Sequence, residues 1–137
     1  MLVRICLSCI CFLFPVKTTF AEIVNVNNQQ IKELFKINIP IVDVRRSAEW
    51  EQTGVVPNSI LLTFFDKKGN YNLDEWYKQL SLKINEGEPI ILICRTGRRT
   101  KIIAEMMDKK FDNVIYNAKG GITLWIDEKL KTVKPRY

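Results

Sequence analysis

Pro89-Ile90-Ile91-Leu92-Ile93-Cys94-Arg95-Thr96-Gly97-Arg98 is the stretch that decides the fold. Its continuous apolar run after a proline suits a strand covered on both faces, at the centre of a parallel sheet. The run delivers Cys94 at its end. Thr96-Gly97 then breaks the chain, and Arg98 to Lys110 sets Ile102, Ile103, Met106 and Met107 along one face of a helix. Open α/β sheets build their ligand sites where a central strand passes through a tight loop into a helix.

Outward from this segment, short β-branched runs alternate with amphipathic stretches. On the N-terminal side, Ile23 to Val26 reads as an opening strand, and Asn27 or Asn28 caps a helix through Lys36. Ile41 to Val44 reads as a buried strand, followed by a short helix around Ala48 to Gln52. Gly54 and Pro57 punctuate the chain before a strand at Ile60 to Phe65. Asp66 to Asn70 is a turn, and Asn72 caps a helix to about Ile84. On the C-terminal side Asn113 to Tyr116 returns as a strand, and Gly120-Gly121 opens a last helix. The expectation is a doubly wound α/β domain with a mostly parallel five-stranded sheet flanked by helices.

With 137 residues the chain suits one hydrophobic core and one domain. Residues 1–21 read as a secretory signal: Arg4 is a short basic start, Ile5 to Val16 an apolar-to-small run, and Thr19-Phe20-Ala21 a cleavage site. The run of about a dozen residues is short of the roughly 20 that a helical span needs. The expected mature domain is residues 22–137, exported to the periplasm, monomeric, with no stable membrane insertion. Cys6, Cys9 and Cys11 leave with the signal, so Cys94 is the one thiol of the mature chain and has no partner for an internal disulfide.

The full chain carries 21 Lys and Arg against 15 Asp and Glu; losing Arg4 and Lys17 lowers the net charge from +6 to +4. That balance is not nucleic-acid-like. Arg95, Arg98, Arg99 and Lys101 nevertheless cluster beside Cys94, which favours a small anionic ligand. The basic C-terminal run Lys129 to Arg136 reads as a solubilising tail. Histidine is absent, which excludes His-assisted nucleophiles and Cys/His zinc sites; no metal and no organic cofactor are expected.

The connection Arg95-Thr96-Gly97 would turn its N–H groups inward as an anion-binding nest above a helix N-terminus, and Gly97 permits the positive φ or close approach such a loop needs. The helix terminus and the three arginines favour a negatively charged sulfur. Such a sulfur suits either a soft sulfur atom or an electrophilic phosphorus as its target.

Three segments, in matching order and spacing, resemble the rhodanese family from about Ile39 to Ile126. They are Ile41-Val42-Asp43-Val44-Arg45 with Ala48-Glu49-Trp50, Cys94-Arg95-Thr96-Gly97-Arg98-Arg99-Thr100, and Gly120-Gly121-Ile122-Thr123-Leu124-Trp125. The resemblance implies that Cys94 is the catalytic nucleophile. It would accept sulfane sulfur from a small anionic donor such as thiosulfate and pass the persulfide to cyanide or a thiol. Arg95, Thr96, Gly97, Arg98 and Arg99 would bind the substrate, with Thr100 in support. Asp43 and Arg45, matching signature positions, read as a structural ion pair. Trp50, Trp76 and Trp125 read as packing.

One departure concerns the family's glycine-histidine-isoleucine-proline segment, which here is Gly54-Val55-Val56-Pro57, so Val55 replaces the histidine. The alternatives are a persulfide carrier or redox sensor without turnover, and a phosphatase or arsenate reductase. Related phosphatases place an arginine six positions after the cysteine, where this chain has Thr100.

Overall fold

The computed structural model describes residues 23–137. The expected signal over residues 1–21, with Cys6, Cys9 and Cys11, lies outside them. Five strands alternate with five helices: β1 (Ile23–Val26), α1 (Asn28–Lys36), β2 (Ile41–Asp43), α2 (Ser47–Thr53), β3 (Ile60–Leu61), α3 (Leu73–Ser81), β4 (Ile90–Ile93), α4 (Arg98–Asp108), β5 (Ile115–Ala118) and α5 (Gly121–Asp127). The sheet order is β1-β5-β4-β2-β3, and every pairing of these strands is parallel. The expected doubly wound sheet is thus wholly parallel, with β4 at its centre.

The apolar run of β4 is buried at every position because helices cover both faces of the sheet. Side chains alternate across the pleat. Ile90, Leu92 and Cys94 pack with Trp76 and Leu80 of α3 and Ile103 and Met107 of α4. Ile91 and Ile93 pack on the opposite face with Ile31 of α1 and with Ile122 and Trp125 of α5. Trp50, Trp76 and Trp125 are all buried. Asn27 caps α1 by accepting from Gln30 N at 2.9 Å, and Gln30 Oε1 accepts from Asn27 N in return.

Four expectations shift. Beyond Leu61 the segment read as strand to Phe65 still bonds β2, through Leu62 N to Asp43 O and Phe64 N to Val44 O. It is no longer strand there, and Phe64 and Phe65 pack as a cluster with Tyr71 and Trp76. α3 ends at Ser81 rather than near Ile84. β5 begins at Ile115, not Asn113, because the buried Asn113 side chain is taken up by Tyr77 Oη at 2.8 Å and by Glu88 O at 2.9 Å. The C-terminal run, read as a solubilising tail, folds back: Val133 and Val55 exchange two backbone hydrogen bonds of 2.9 Å, and Trp125 Nε1 donates to Lys131 O.

Candidate active site

Cys94 follows the last residue of β4 and is 1% exposed. The loop it starts is fastened by α5. Ile122 N donates to Cys94 O at 2.9 Å and Thr123 N to Arg95 O at 3.1 Å, so amides of the first turn of α5, which have no partner in their own helix, find acceptors in the loop. This approach requires glycine at 121. Its φ is +56°, and a Cβ there would stand 2.6 Å from the Arg95 carbonyl carbon.

Gly97 closes the loop at φ +89°, a left-handed conformation that L side chains avoid. Its N–H donates to Cys94 Sγ at 3.1 Å, which places one backbone dipole directly on the sulfur at the entrance to α4. Of the expected nest, this is the amide that reaches the sulfur. Thr100, buried one turn into α4, brings its hydroxyl to 3.5 Å from Sγ, 3.1 Å from Gly97 O and 2.5 Å from Asn117 Oδ1. Asn117 Nδ2 donates in turn to Asn25 Oδ1 at 2.8 Å.

The arginines divide by helical geometry. Arg95 and Arg98 are exposed, as is Thr96, and neither arginine enters an ion pair among the described residues. Arg99, the next residue along α4, turns inward to a two-point pair with Glu49 of α2, at 2.6 Å and 2.9 Å. That geometry matches a planar guanidinium to a carboxylate. Arg95 and Arg98 therefore stay exposed beside the loop with no carboxylate partner among the described residues, while Arg99 ties the start of α4 to α2.

Asp43 and Arg45 form a buried pair, 0% and 1% exposed at their side chains, with Arg45 Nη2 2.7 Å from Asp43 Oδ2 and Nε 3.0 Å from Oδ1. Arg45 also donates to Thr53 Oγ1 at 2.8 Å and to Gly54 O at 3.0 Å. The expected structural pair is thus in place beneath the site. Among the described residues no group of three or more His, Cys, Asp or Glu is placed to hold a metal ion. A cavity of about 180 Å³ opens beside the loop, with Glu49, Gln52, Arg95, Thr123 and Asp127 in its wall. A larger one, about 480 Å³, lies at the C-terminal segment among Val55, Ser59, Val133 and Arg136 and shares no wall residue with the cysteine loop.

A family profile described as Rhodanese-like domain matches residues 27–128. The chain belongs to the rhodanese-like domain family. A rhodanese domain-containing protein of Drosophila melanogaster is 32% identical over 106 residues, which are 67% of this chain and 86% of that protein. Among solved structures, a rhodanese-related protein from Thermoplasma volcanium matches with a TM-score of 0.64 at 22% identity, covering 82% of this chain and 99% of its own. The polysulfide-sulfur transferase homodimer from Wolinella succinogenes matches with a TM-score of 0.63 at 21% identity, covering 88% and 85%.

Within this rhodanese-like domain, Val55, at the family's usual histidine position, is buried and spends its backbone on Val133. Three site residues were not singled out in the sequence: Glu49, Asn117 and Asn25. Glu49 lay inside a quoted signature without a role. Asn117 was the available signal, a polar residue directly after a strand reading that stopped one position short of it.

Burial pushes the Glu49 carboxyl up, but hydrogen bonds from the Arg99 side chain and the Arg46 backbone, with the charge of Arg99, outweigh it and hold the pKa at about 2 against an ordinary 4.5. A carboxyl whose pKa is lower folded than unfolded binds protons more readily when unfolded, so its contribution to stability is complete above the ordinary value. It is lost as pH falls from about 4.5 towards about 2. In urea titrations over this window, Glu49→Gln is expected to show a shallower fall of the unfolding midpoint than the parent. Identical slopes would assign the acid sensitivity to other carboxylates.

Proposed function

We propose that this rhodanese-like domain is a sulfurtransferase that moves sulfane sulfur from thiosulfate, or a similar small anionic donor, to cyanide or a thiol through a persulfide on Cys94. The observation that carries the reading is the Gly97 N–H held on Cys94 Sγ at 3.1 Å, at the end of the central strand and beside the exposed Arg95 and Arg98. The Cys94 thiolate attacks the outer sulfur of thiosulfate. The S–S bond of the donor breaks, its electron pair leaves with sulfite, and Cys94 keeps the transferred atom as a persulfide. Cyanide then attacks that outer sulfur, thiocyanate departs, and the thiolate returns.

Arg95 and Arg98 supply the positive field in which a doubly charged donor approaches and sulfite forms. The structural relative named a polysulfide-sulfur transferase supports sulfur as the group transferred. Thr100, standing six positions after Cys94 and turned inward to Gly97 O and Asn117, offers no cation at the place where related phosphatases use arginine. The proposal includes a signal over residues 1–21, export to the periplasm, and a monomer that needs neither metal nor organic cofactor.

Intact mass decides the central step: after thiosulfate the protein is expected to gain one sulfur atom, and cyanide is expected to remove it. No gain would sink the proposal, whereas a gain without catalytic turnover would favour a carrier. The outward Arg98 and the inward Arg99 separate experimentally. Arg98→Ala is expected to raise the thiosulfate KM about tenfold, as for one lost charge-assisted contact, and to leave kcat within about twofold. Arg99→Ala, which also strands Glu49, is expected to lower stability as well. Unchanged kinetics in Arg98→Ala would reassign that residue to the solvated surface.

A further inference from the structure

Thr100 carries one hydroxyl proton and has three claimants for it. A hydroxyl donates once and accepts twice, and around Thr100 Oγ1 stand Asn117 Oδ1 at 2.5 Å, Gly97 O at 3.1 Å and Cys94 Sγ at 3.5 Å. Both oxygens can only accept. The shortest contact, at the tight end of the O–H···O range, takes the proton. Asn117 is turned to claim it because its Nδ2 is engaged by Asn25 Oδ1 at 2.8 Å, its directly facing partner in the β1–β5 register.

We propose that Asn117, oriented by Asn25, is a positioning residue that competes with the Cys94 sulfur for the Thr100 proton and so limits how strongly the loop stabilises negative charge on that sulfur. With the proton on Asn117, the sulfur meets a lone pair of Thr100. That suits a thiol, which can donate, and not a thiolate or persulfide anion, which needs a donor. Turning the proton to the sulfur would leave Asn117 Oδ1 unpartnered at a residue only 4% exposed, which is unfavourable. The Gly97 N–H remains the donor whose loyalty is undivided. The arrangement holds Cys94 less reactive than its loop alone would make it.

The inference rests on Cys94 being the reactive group, and its test needs no sulfur donor or acceptor, so it can fail while persulfide formation succeeds. The rate of Cys94 alkylation by iodoacetamide is measured from about pH 5 to 9, with the modified residue located by peptide mass. Asn117→Leu is expected to raise the rate at about pH 6 by about three- to tenfold, equivalent to one contested hydrogen bond, and to converge with the parent at high pH. Asn25→Ala, at an exposed position on the edge strand, lets the Asn117 amide turn its Nδ2 to the hydroxyl and is expected to give a smaller rise in the same direction.

Both rises are expected to vanish in a Thr100→Val background, since the competition acts through that hydroxyl. An unchanged or slower rate in the single variants overturns the proposal, as does an equal rise with and without Thr100. Should Asn117→Leu fail to fold by circular dichroism, Asn25→Ala with and without Thr100→Val decides the matter alone.

Discussion

Cys94→Ser is expected to gain no sulfur from thiosulfate and to release no thiocyanate above background, while unfolding at a urea midpoint close to that of the parent. Serine differs from cysteine by one atom, and its oxygen can still accept from Gly97 N–H, so the loop keeps its shape. The chemistry does not survive. A serine hydroxyl stays protonated near neutrality without a general base, and the sequence contains no histidine to serve as one. Even as an alkoxide it would be a hard nucleophile facing a soft sulfur, and no other thiol occurs among the described residues. Turnover equal to that of the parent would show that Cys94 is not the nucleophile.

The largest loss of stability is expected from Asp43→Ala. The carboxylate it removes accepts from Arg45 Nε, from Nη2 and from the Arg45 backbone N–H, all within a site closed to solvent. The guanidinium left behind keeps its bonds to Thr53 Oγ1 and Gly54 O but loses its counter-charge. Stranding one member of such a pair costs about 3–5 kcal/mol, a large part of the roughly 5–15 kcal/mol that holds a domain of this size together. Replacing both members, as Asp43→Ala with Arg45→Met, is expected to cost less than the sum of the single changes, because no uncompensated charge remains. Urea unfolding of the four proteins measures this cycle. A loss below about 1 kcal/mol for Asp43→Ala would contradict the buried-pair account.

What the sequence made legible followed from local pattern. The apolar run Ile90 to Ile93 could be placed at the centre of a sheet because both of its faces had to be covered, and with it came the position of Cys94. Asn27 and Asn72 marked helix starts because their side chains cap locally, and Gly97 marked a turn because few residues tolerate its φ. Edges were less legible. Nothing within Ile60 to Phe65 shows where the strand stops, since the aromatic partners of Phe64, Tyr71 and Trp76, lie on segments further along the chain.

The site divided along the same line. Arg98 and Arg99 are equivalent as neighbours in a sequence, but a helix turns them about 100° apart. Which one faces outward was settled by Glu49, fifty positions away. Asn25 and Asn117 are 92 positions apart and meet only because β1 and β5 are adjacent in the sheet. Long-range partnerships of this kind leave no periodicity to read.

The strand order carries a consequence for how the protein comes into being. β5, the last strand made, is the one that fills the space between β1 and β4, and the helix that follows it supplies the amides that hold the carbonyls of Cys94 and Arg95. A chain emerging from its N-terminus therefore presents the thiol long before it presents the cradle. Until β5 is made, the sheet stays divided between β1 and β4, and Thr100 has no Asn117 to bond. Assembly must wait for contacts between distant segments, which slows folding. Cys94 and the groups that hold its loop thus meet only when β5 and α5 dock.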